Sequence, residues 1–246
     1  MTASDDKTLG IVLTTVKLND HTQLVHFYTQ SKGRVTCRVP LASRGKRASQ
    51  LRNMITPMSV LELVLGGHPS DAIRPIAEAR IVQSPYLLTL DHPDKSAQCL
   101  YMAELVAHTI REEEAEPRLW NYLTASLEVL EHCEAGWENF HLVFTCGLTR
   151  LLGFSVDTSL YTPGCCFDMI EGTFTTGLIP HAYYFNAESS KWFCRMVETQ
   201  YDTMHQLSFS PNQRAAMLEM LLAFLAQQIP EMGQLRSVDV LKTLFN

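Results

Sequence analysis

The chain has 246 residues, of which 46% are hydrophobic and 19% are charged, and its formal net charge is −6. This composition is typical of a globular protein with one large or two smaller domains, and it excludes disorder, collagen and coiled coil. The longest apolar run, Met220 to Ala226, is far shorter than the about 20 residues that cross a bilayer, and residues 1–20 carry no secretory signal pattern. We therefore expect a soluble cytoplasmic protein that has no membrane partner.

Charge is distributed unevenly along the chain. Residues 1–80 contain 11 Lys and Arg against 6 Asp and Glu, a balance of +5, whereas the remainder carries 9 against 20, a balance of −11. A basic segment of this kind is typical of a protein that binds an anion, and nucleic acid is the leading candidate.

The first 80 residues predict five short strands, because β-branched residues recur with a period of 2 between turn-forming pairs. A longer non-strand insertion, Ala42–Pro57, separates the third strand from the fourth, as in a five-stranded barrel of the OB type, although other small barrels fit nearly as well. The predicted strands are Thr8–Leu18, Thr22–Thr29, Gly33–Val39, Met58–Leu65 and Ile73–Val82.

Beyond Pro85 the hydrophobic period changes to about 3.6, which indicates helices. Three amphipathic faces predict three helices. A non-helical segment rich in Gly and Pro follows at residues 154–186. Within it, the pattern of Cys166–Thr175 favours a small hairpin that turns near Gly172. Further helices are expected at Ser189–Leu207, at Met217–Ile229 behind a capping box that begins at Ser210, and from Ser237. The three faces are Cys99, Met102, Val106 and Ile110; Leu119, Leu123, Leu127 and Leu130; and Trp137, Phe140, Phe144, Leu148 and Leu151.

The segment from Lys32 to Arg52 is the most informative one. It holds seven Lys and Arg and no acidic residue, and the period of 2 places Arg34, Thr36 and Arg38 on one face of the third strand, opposite Val35, Cys37 and Val39. We expect Ser43–Ser49 to be a flexible basic loop that approaches phosphate groups, although a solvated loop without a ligand would have the same composition. The predicted DNA-binding residues are Lys32, Arg34, Arg38, Arg44, Lys46, Arg47 and Arg52.

Signatures of catalysis and of metal binding are largely absent. The chain has no phosphate-binding Gly-rich loop, no His-Glu-x-x-His and no Gly-x-Ser-x-Gly. Its seven cysteines, an odd number without an export signal, are expected to be reduced thiols, and the adjacent Cys165 and Cys166 near His181 do not form the Cys-x-x-Cys pair of a zinc knuckle. We therefore predict no catalytic residue, no cofactor and no metal, with zinc or a nucleophilic cysteine as weaker alternatives.

Several stretches, taken in their order and spacing, resemble the bacterial recombination mediator family RecO. No single motif is diagnostic, but the resemblance extends over nearly the whole chain. The matching stretches are Ile11–Leu13, Val25–Thr29, Ser31–Val35, Arg44–Ser49, Met58–Leu63, Tyr101–Leu105, Phe140–Phe154 and Leu235–Leu241.

The resemblance implies an α+β protein in which a five-stranded OB-type barrel at residues 1–82 precedes a helical domain at residues 83–246 with a small zinc-finger-like hairpin insertion at about 154–186. It also implies a non-enzymatic mediator that binds single- and double-stranded DNA and anneals complementary strands. Such a mediator loads RecA with the help of RecR and binds the C-terminal tail of the single-stranded-DNA-binding protein. Many members hold zinc in the insertion with Cys-x-x-Cys pairs, from which this chain departs.

A partner site is predicted on the helical domain. Arg150 precedes Leu151 and Leu152, and a cation beside an apolar surface suits an acidic tail that ends in hydrophobic residues; alternatively, Arg150 stabilises only its own helix C-terminus. Two hypotheses of other classes also remain: an adaptor whose basic barrel binds an acidic protein, and an enzyme that uses Cys165 or Cys166.

Overall fold

The computed structural model describes residues 6–41, 46–84, 92–111 and 114–244, without the side chains of residues 46–48. Within these ranges the strands are β1 Lys7–Asn19, β2 Thr22–Thr29, β3 Gly33–Pro40, β4 Val60–Leu65, β5 Arg74–Gln83, β6 Cys166–Asp168, β7 Thr173–Thr175 and β8 Tyr184–Phe185. The helices are α1 Lys46–Met54, α2 Pro93–Thr109, α3 Pro117–His132, α4 Phe140–Leu151, α5 Ala187–Glu198, α6 Pro211–Gln228 and α7 Ser237–Leu244. None of the helices in this described part has the length and hydrophobicity needed to cross a lipid bilayer.

The first five strands close into a barrel in the order β1-β2-β3-β5-β4. All pairs are antiparallel except β3 with β5, which run parallel. Alternate residues face the interior, as the period of 2 predicts, and their burial forms a continuous apolar core. The prediction of a five-stranded barrel of the OB type is confirmed. The fully buried core residues are Val12, Val25, Phe27, Cys37, Val39, Leu61 and Leu63.

Helix α1 corrects the prediction of a loop over residues 43–49, because the chain is already helical from Lys46. Neither Gly nor Pro interrupts Lys46–Met54, and Leu51 and Met54 pack against the barrel core next to the buried Ile55. The packing of this apolar side stabilises a short helix that its own propensity would leave marginal.

The chain divides into two compact units, Met1–Glu131 and His132–Asn246. Helices α2 and α3 therefore belong to the same unit as the barrel. The predicted division into domains 1–82 and 83–246 follows the change from strands to helices and stays a prediction.

The C-terminal unit contains helices α4 to α7 and the small sheet β7-β6-β8. The predicted capping box is present: the Ser210 hydroxyl accepts from the Gln213 N–H at 3.3 Å and the Gln213 side chain accepts from the Ser210 N–H at 2.9 Å. The helix predicted over Ser189–Leu207 instead ends at Glu198, where Thr199 turns to an extended conformation. In the irregular segment that follows, the buried Asn139 amide donates to the carbonyl oxygens of Met204 and Leu207, at 3.0 and 2.8 Å.

The predicted hairpin in the insertion is confirmed. Strands β6 and β7 pair in register from Cys166↔Thr175 to Asp168↔Thr173, and Gly172 supplies the left-handed turn conformation with a φ of 66°. The Asp168 carboxylate closes the turn by accepting from the backbone N–H groups of Ile170 and Glu171 at 2.9 and 3.1 Å.

Candidate nucleic-acid interface

Strand β3 divides the basic segment into an inner and an outer face. Cys37 and Val39 are fully buried inside the barrel, whereas Arg34 and Thr36 are partly exposed and Arg38 is exposed on the outer face. The predicted separation of an apolar face from a cationic one is confirmed, because side chains alternate along a strand.

Arg34 has a structural role that the sequence did not indicate. Its Nη1 donates hydrogen bonds to the carbonyl oxygens of Ala107 and Ile110, at 2.9 and 2.8 Å. These carbonyls lie at the C-terminus of α2, where backbone acceptors lack helical partners and the helix dipole favours a cation. Burial, followed by the charge of Arg111, lowers the pKa of the Arg34 guanidinium, which nonetheless stays protonated. Arg34 thus ties the barrel to α2, and its contact with phosphate stays a prediction.

A cleft of about 650 Å³ lies between the start of β3 and the loop that joins β4 to β5. In OB folds, strands 2 and 3 and this loop form the surface that binds oligonucleotides. One carboxylate, Asp71, also lines the cleft. The cations that line the cleft are Lys32, Arg34, Arg74 and Arg111.

Arg74 and Arg111 differ in what they can offer a ligand. Arg74 is buried and its Nη2 pairs with the Asp6 carboxylate at 2.7 Å, while its Nε donates to the Gly66 carbonyl at 3.0 Å. The hydrogen bond from Arg74 lowers the pKa of Asp6. Arg111 is exposed. The charge pattern of the sequence did not reveal it, because the three glutamates that follow make the net charge of that segment negative.

Three of the remaining predicted cations, Lys46, Arg47 and Arg52, belong to α1. Arg52 donates from Nη1 to the Leu41 carbonyl at 3.1 Å, which fixes the helix to the end of β3. Lys46 and Arg47 occupy the first turn of α1, where unpaired backbone N–H groups favour anions, but their side chains and the whole of Arg44 lie outside the described residues. The six predicted residues that the structure describes therefore fall into two groups, one along β3 and the cleft and one along α1.

Both aromatic residues near the basic segment are inaccessible. Phe27 lies in the barrel core and Tyr28 is buried, its hydroxyl accepting from the Glu116 N–H at 3.0 Å and donating to the Glu116 carbonyl at 3.3 Å. Neither ring can stack on a base. His26 instead has the partly exposed ring on the outer face of β2. The period of 2 places His26 on the same face as Leu24, so the sequence pattern could have identified it.

The donors in the insertion do not fit a four-ligand zinc site. Cys165 is buried, and His181 Nε2 lies 3.3 Å from the Asp168 carboxylate. No three His, Cys, Asp or Glu side chains in the described part of the chain group as metal ligands.

Aromatic side chains form the core beneath the small sheet. Phe167 is fully buried, with ring centroids at 5.0, 5.5, 4.6 and 5.4 Å from those of Phe174, Phe185, Phe193 and Phe224. Burial and edge-to-face contacts of this kind stabilise the hairpin.

The buried thiols are poorly suited to nucleophilic chemistry. Burial raises the pKa of Cys37, Cys99 and Cys146 to about 12, and a nucleophilic cysteine needs the thiolate. Cys166 is partly exposed and Cys165 is buried.

Arg150 lies in the last turn of α4 and is exposed. Its Nη2 donates to the Val197 carbonyl at 3.2 Å, in the last turn of α5. Arg150 also borders an apolar cavity of about 10 Å³, enough for one water molecule, lined by Phe154, Phe193 and Phe224. The cation therefore lies beside apolar side chains and bonds a neighbouring helix, and its role in binding a partner stays a prediction.

Comparison with known proteins agrees with this architecture. The family model described as recombination protein O N terminal matches residues 1–85, and that described as recombination protein O C terminal matches residues 90–237. Fold and matches together define a recombination protein with an OB-type barrel followed by a helical region. Proteins named DNA repair protein RecO are similar over almost the whole chain: 33% identity over 242 residues in Bacteroides fragilis and 31% over 240 residues in Phocaeicola vulgatus, covering 98% of this chain and 99% of each relative. The chain belongs to the RecO family of DNA repair proteins.

Proposed function

We propose that the protein is a non-enzymatic DNA-binding mediator that anneals complementary single strands and, with RecR, helps to load RecA onto DNA coated by the single-stranded-DNA-binding protein. The observation that carries the proposal is the uncompensated basic segment from Lys32 to Arg52, of which β3 presents Arg34 and Arg38 on the outer face of an OB-type barrel. Membership of the RecO family supports the recombination part of the proposal.

Binding is expected to be dominated by phosphate contacts. Each phosphate neutralised on a single strand releases counterions and contributes a slope of about −0.7 in log K against log salt. Because Phe27 and Tyr28 are buried, aromatic stacking does not sequester the bases. The edges of the bases stay available for pairing, which suits an annealing protein.

The group on α1 tests phosphate binding. Replacing Lys46 and Arg47 by Ala should weaken binding to every DNA sequence alike and reduce the single-strand salt slope by about 0.7 per lost contact. The matched control is Lys191→Ala with Lys242→Ala, which removes the same charge from the C-terminal unit and should leave both quantities unchanged. Gel shifts with single-stranded and duplex DNA at several salt concentrations measure affinity and slope. An unchanged slope in the Lys46 and Arg47 variant would contradict the assignment.

Arg150 is proposed to bind the acidic C-terminal tail of the single-stranded-DNA-binding protein. An exposed guanidinium can pair with a carboxylate while the tail's hydrophobic residues contact the exposed Leu151 and the partly exposed Phe154. Arg150→Ala should lose binding to a peptide that copies this tail and keep its affinity for naked DNA.

The chain offers a matched control for Arg150. Arg195 is also an exposed arginine in a last helical turn, and its Nη2 donates to one carbonyl, that of Gln206, at 2.9 Å. Arg195→Ala should bind the peptide as tightly as the parent protein. Equal peptide affinities for the Arg150 and Arg195 variants would assign Arg150 a purely structural role.

A further inference from the structure

The cleft between the start of β3 and the loop that joins β4 to β5 gathers positive charge at one place in the unit Met1–Glu131. Its volume of about 650 Å³ is typical of a site for a small ligand. Three of its four cations come from the barrel, whereas Arg111 follows the end of α2. Two parts of the unit that are distant in sequence therefore place cations around one opening.

Two carboxylates compensate only part of this charge. Asp6 forms an ion pair with Arg74 at 2.7 Å. Asp71 lines the cleft, but its carboxylate accepts a hydrogen bond at 2.8 Å from the His68 N–H in its own loop. The four lining cations and these two carboxylates leave a balance of +2. A phosphomonoester carries a charge of about −1.5 to −2 near neutral pH, whereas each phosphodiester within a DNA strand carries a single negative charge. The charge of the cleft therefore matches a phosphomonoester better than it matches a phosphodiester.

Arg34, which lines the cleft, has hydrogen-bond donors that the protein does not use. Its Nη1 alone makes both bonds to the carbonyls at the end of α2, and within the described residues Nε and Nη2 bond no protein group. Burial, followed by the charge of Arg111, lowers the pKa of Arg34, so the two guanidinium groups lie close enough to repel each other. An anion between them would relieve this repulsion, and the planar fork of a guanidinium fits phosphate oxygens.

We propose that the cleft binds a phosphomonoester dianion, supplied either by the terminal phosphate of a DNA strand or by a free mononucleotide. The strand-end form of the inference rests on the proposed DNA-binding function and deepens it, because it distinguishes the end of a strand from the phosphodiesters within it. Recognition is confined to the phosphate, since none of the described residues that line the cleft is aromatic and could stack on a base. The uncharged residues that line it are Val35, Thr36, Pro69, Ser70 and Ala72.

The test uses one oligothymidylate with three different 5′ ends: a phosphomonoester, the methyl ester of that phosphate, and a hydroxyl group. All three probes carry a fluorophore at the 3′ end, and anisotropy titrations measure their affinities. The parent protein should bind the phosphomonoester about tenfold more tightly than the methyl ester, which keeps the phosphate but carries one charge fewer.

Two variants and one control locate this preference in the cleft. Arg111→Gln and Lys32→Gln should each remove most of the preference for the phosphomonoester, because each removes one lining charge. Arg118→Gln is the matched control, since Arg118 is an exposed arginine of the same unit that does not line the cleft. This control should keep the preference of the parent protein. Thermal melts establish that each variant is folded.

Calorimetric titration with thymidine 5′-monophosphate distinguishes the two sources of the phosphate. Binding that is lost in the Arg111→Gln variant indicates a free nucleotide, and a strand-end preference without such binding indicates the end of a strand. Equal affinities of the parent protein for the phosphomonoester and the methyl ester would overturn the inference, and so would a preference that both Arg111→Gln and Lys32→Gln retain. Salt-dependent binding of all three probes with equal affinity would still support the proposed function. Failure of the parent protein to bind any of the three probes would overturn both.

Discussion

Replacing Arg34 by Met tests whether the Arg34 side chain stabilises the packing of α2 on the barrel. Met keeps the apolar stem but removes both hydrogen bonds to the Ala107 and Ile110 carbonyls. A hydrogen bond from a charged group contributes about 1.5–3 kcal/mol when buried, and Arg34 is only partly buried, so we expect a total loss of about 2 kcal/mol in the free energy of unfolding. In a chain of this size that loss lowers the Tm by about 4–8 °C.

Arg38→Met is the matched control, because Arg38 lies on the same strand and the same face but is exposed. A surface substitution of this kind changes the free energy of unfolding by about 0.5 kcal/mol or less. Thermal melts followed by circular dichroism measure both variants. If Arg34→Met melts with the parent protein, the two hydrogen bonds do not stabilise the unit and the structural role of Arg34 is wrong.

The Arg34→Met and Arg38→Met variants are also compared in their binding to DNA. Arg38→Met should lose one phosphate contact, seen as a salt slope smaller by about 0.7 on single strands, while its Tm stays unchanged. Arg34→Met should show the larger loss of stability. The reverse pattern, with stability carried by Arg38 and the salt slope by Arg34 alone, would refute the division of roles between the two arginines.

Three further predictions concern stability and reactivity. Burial, followed by the charge of Arg214, lowers the pKa of His141 from 6.5 to about 3; below pH 6.5 the unfolded chain therefore binds a proton that the native state does not. On acidification from about pH 7 to about pH 5, denaturant titrations should show the parent protein losing about 2 kcal/mol relative to a His141→Gln variant, and an equal loss in both would contradict this. Phe167→Ala should cost about 3–5 kcal/mol by opening a cavity in the aromatic cluster, while a chelator should leave the Tm of the parent protein unaltered; about one zinc per chain in elemental analysis would overturn the aromatic account. A thiol reagent should modify the partly exposed Cys133 and Cys166 in the native protein and spare three buried thiols, and mass spectrometry that finds these three modified would contradict their burial. The three thiols are Cys37, Cys99 and Cys146.

Local sequence pattern determined much of this architecture. The alternation of apolar and polar residues in β3 predicts which side chains face the barrel core, because a strand has a period of 2 whatever surrounds it. The capping box at Ser210 and Gln213 and the turn at Gly172 likewise depend on neighbouring residues alone. These features were predicted because their causes lie within a few residues of one another.

Contacts between distant residues decided the rest. Arg34 was predicted as a phosphate ligand from its place in a basic run, yet its hydrogen-bond acceptors lie 73 and 76 residues further along the chain. The helix α1 is stabilised by packing on the barrel core, and Asn139 binds carbonyl groups of the irregular segment that follows α5. Composition and periodicity determine which face of an element is apolar, whereas only the tertiary structure determines what each face meets, because burial and hydrogen-bond partners come from residues remote in sequence.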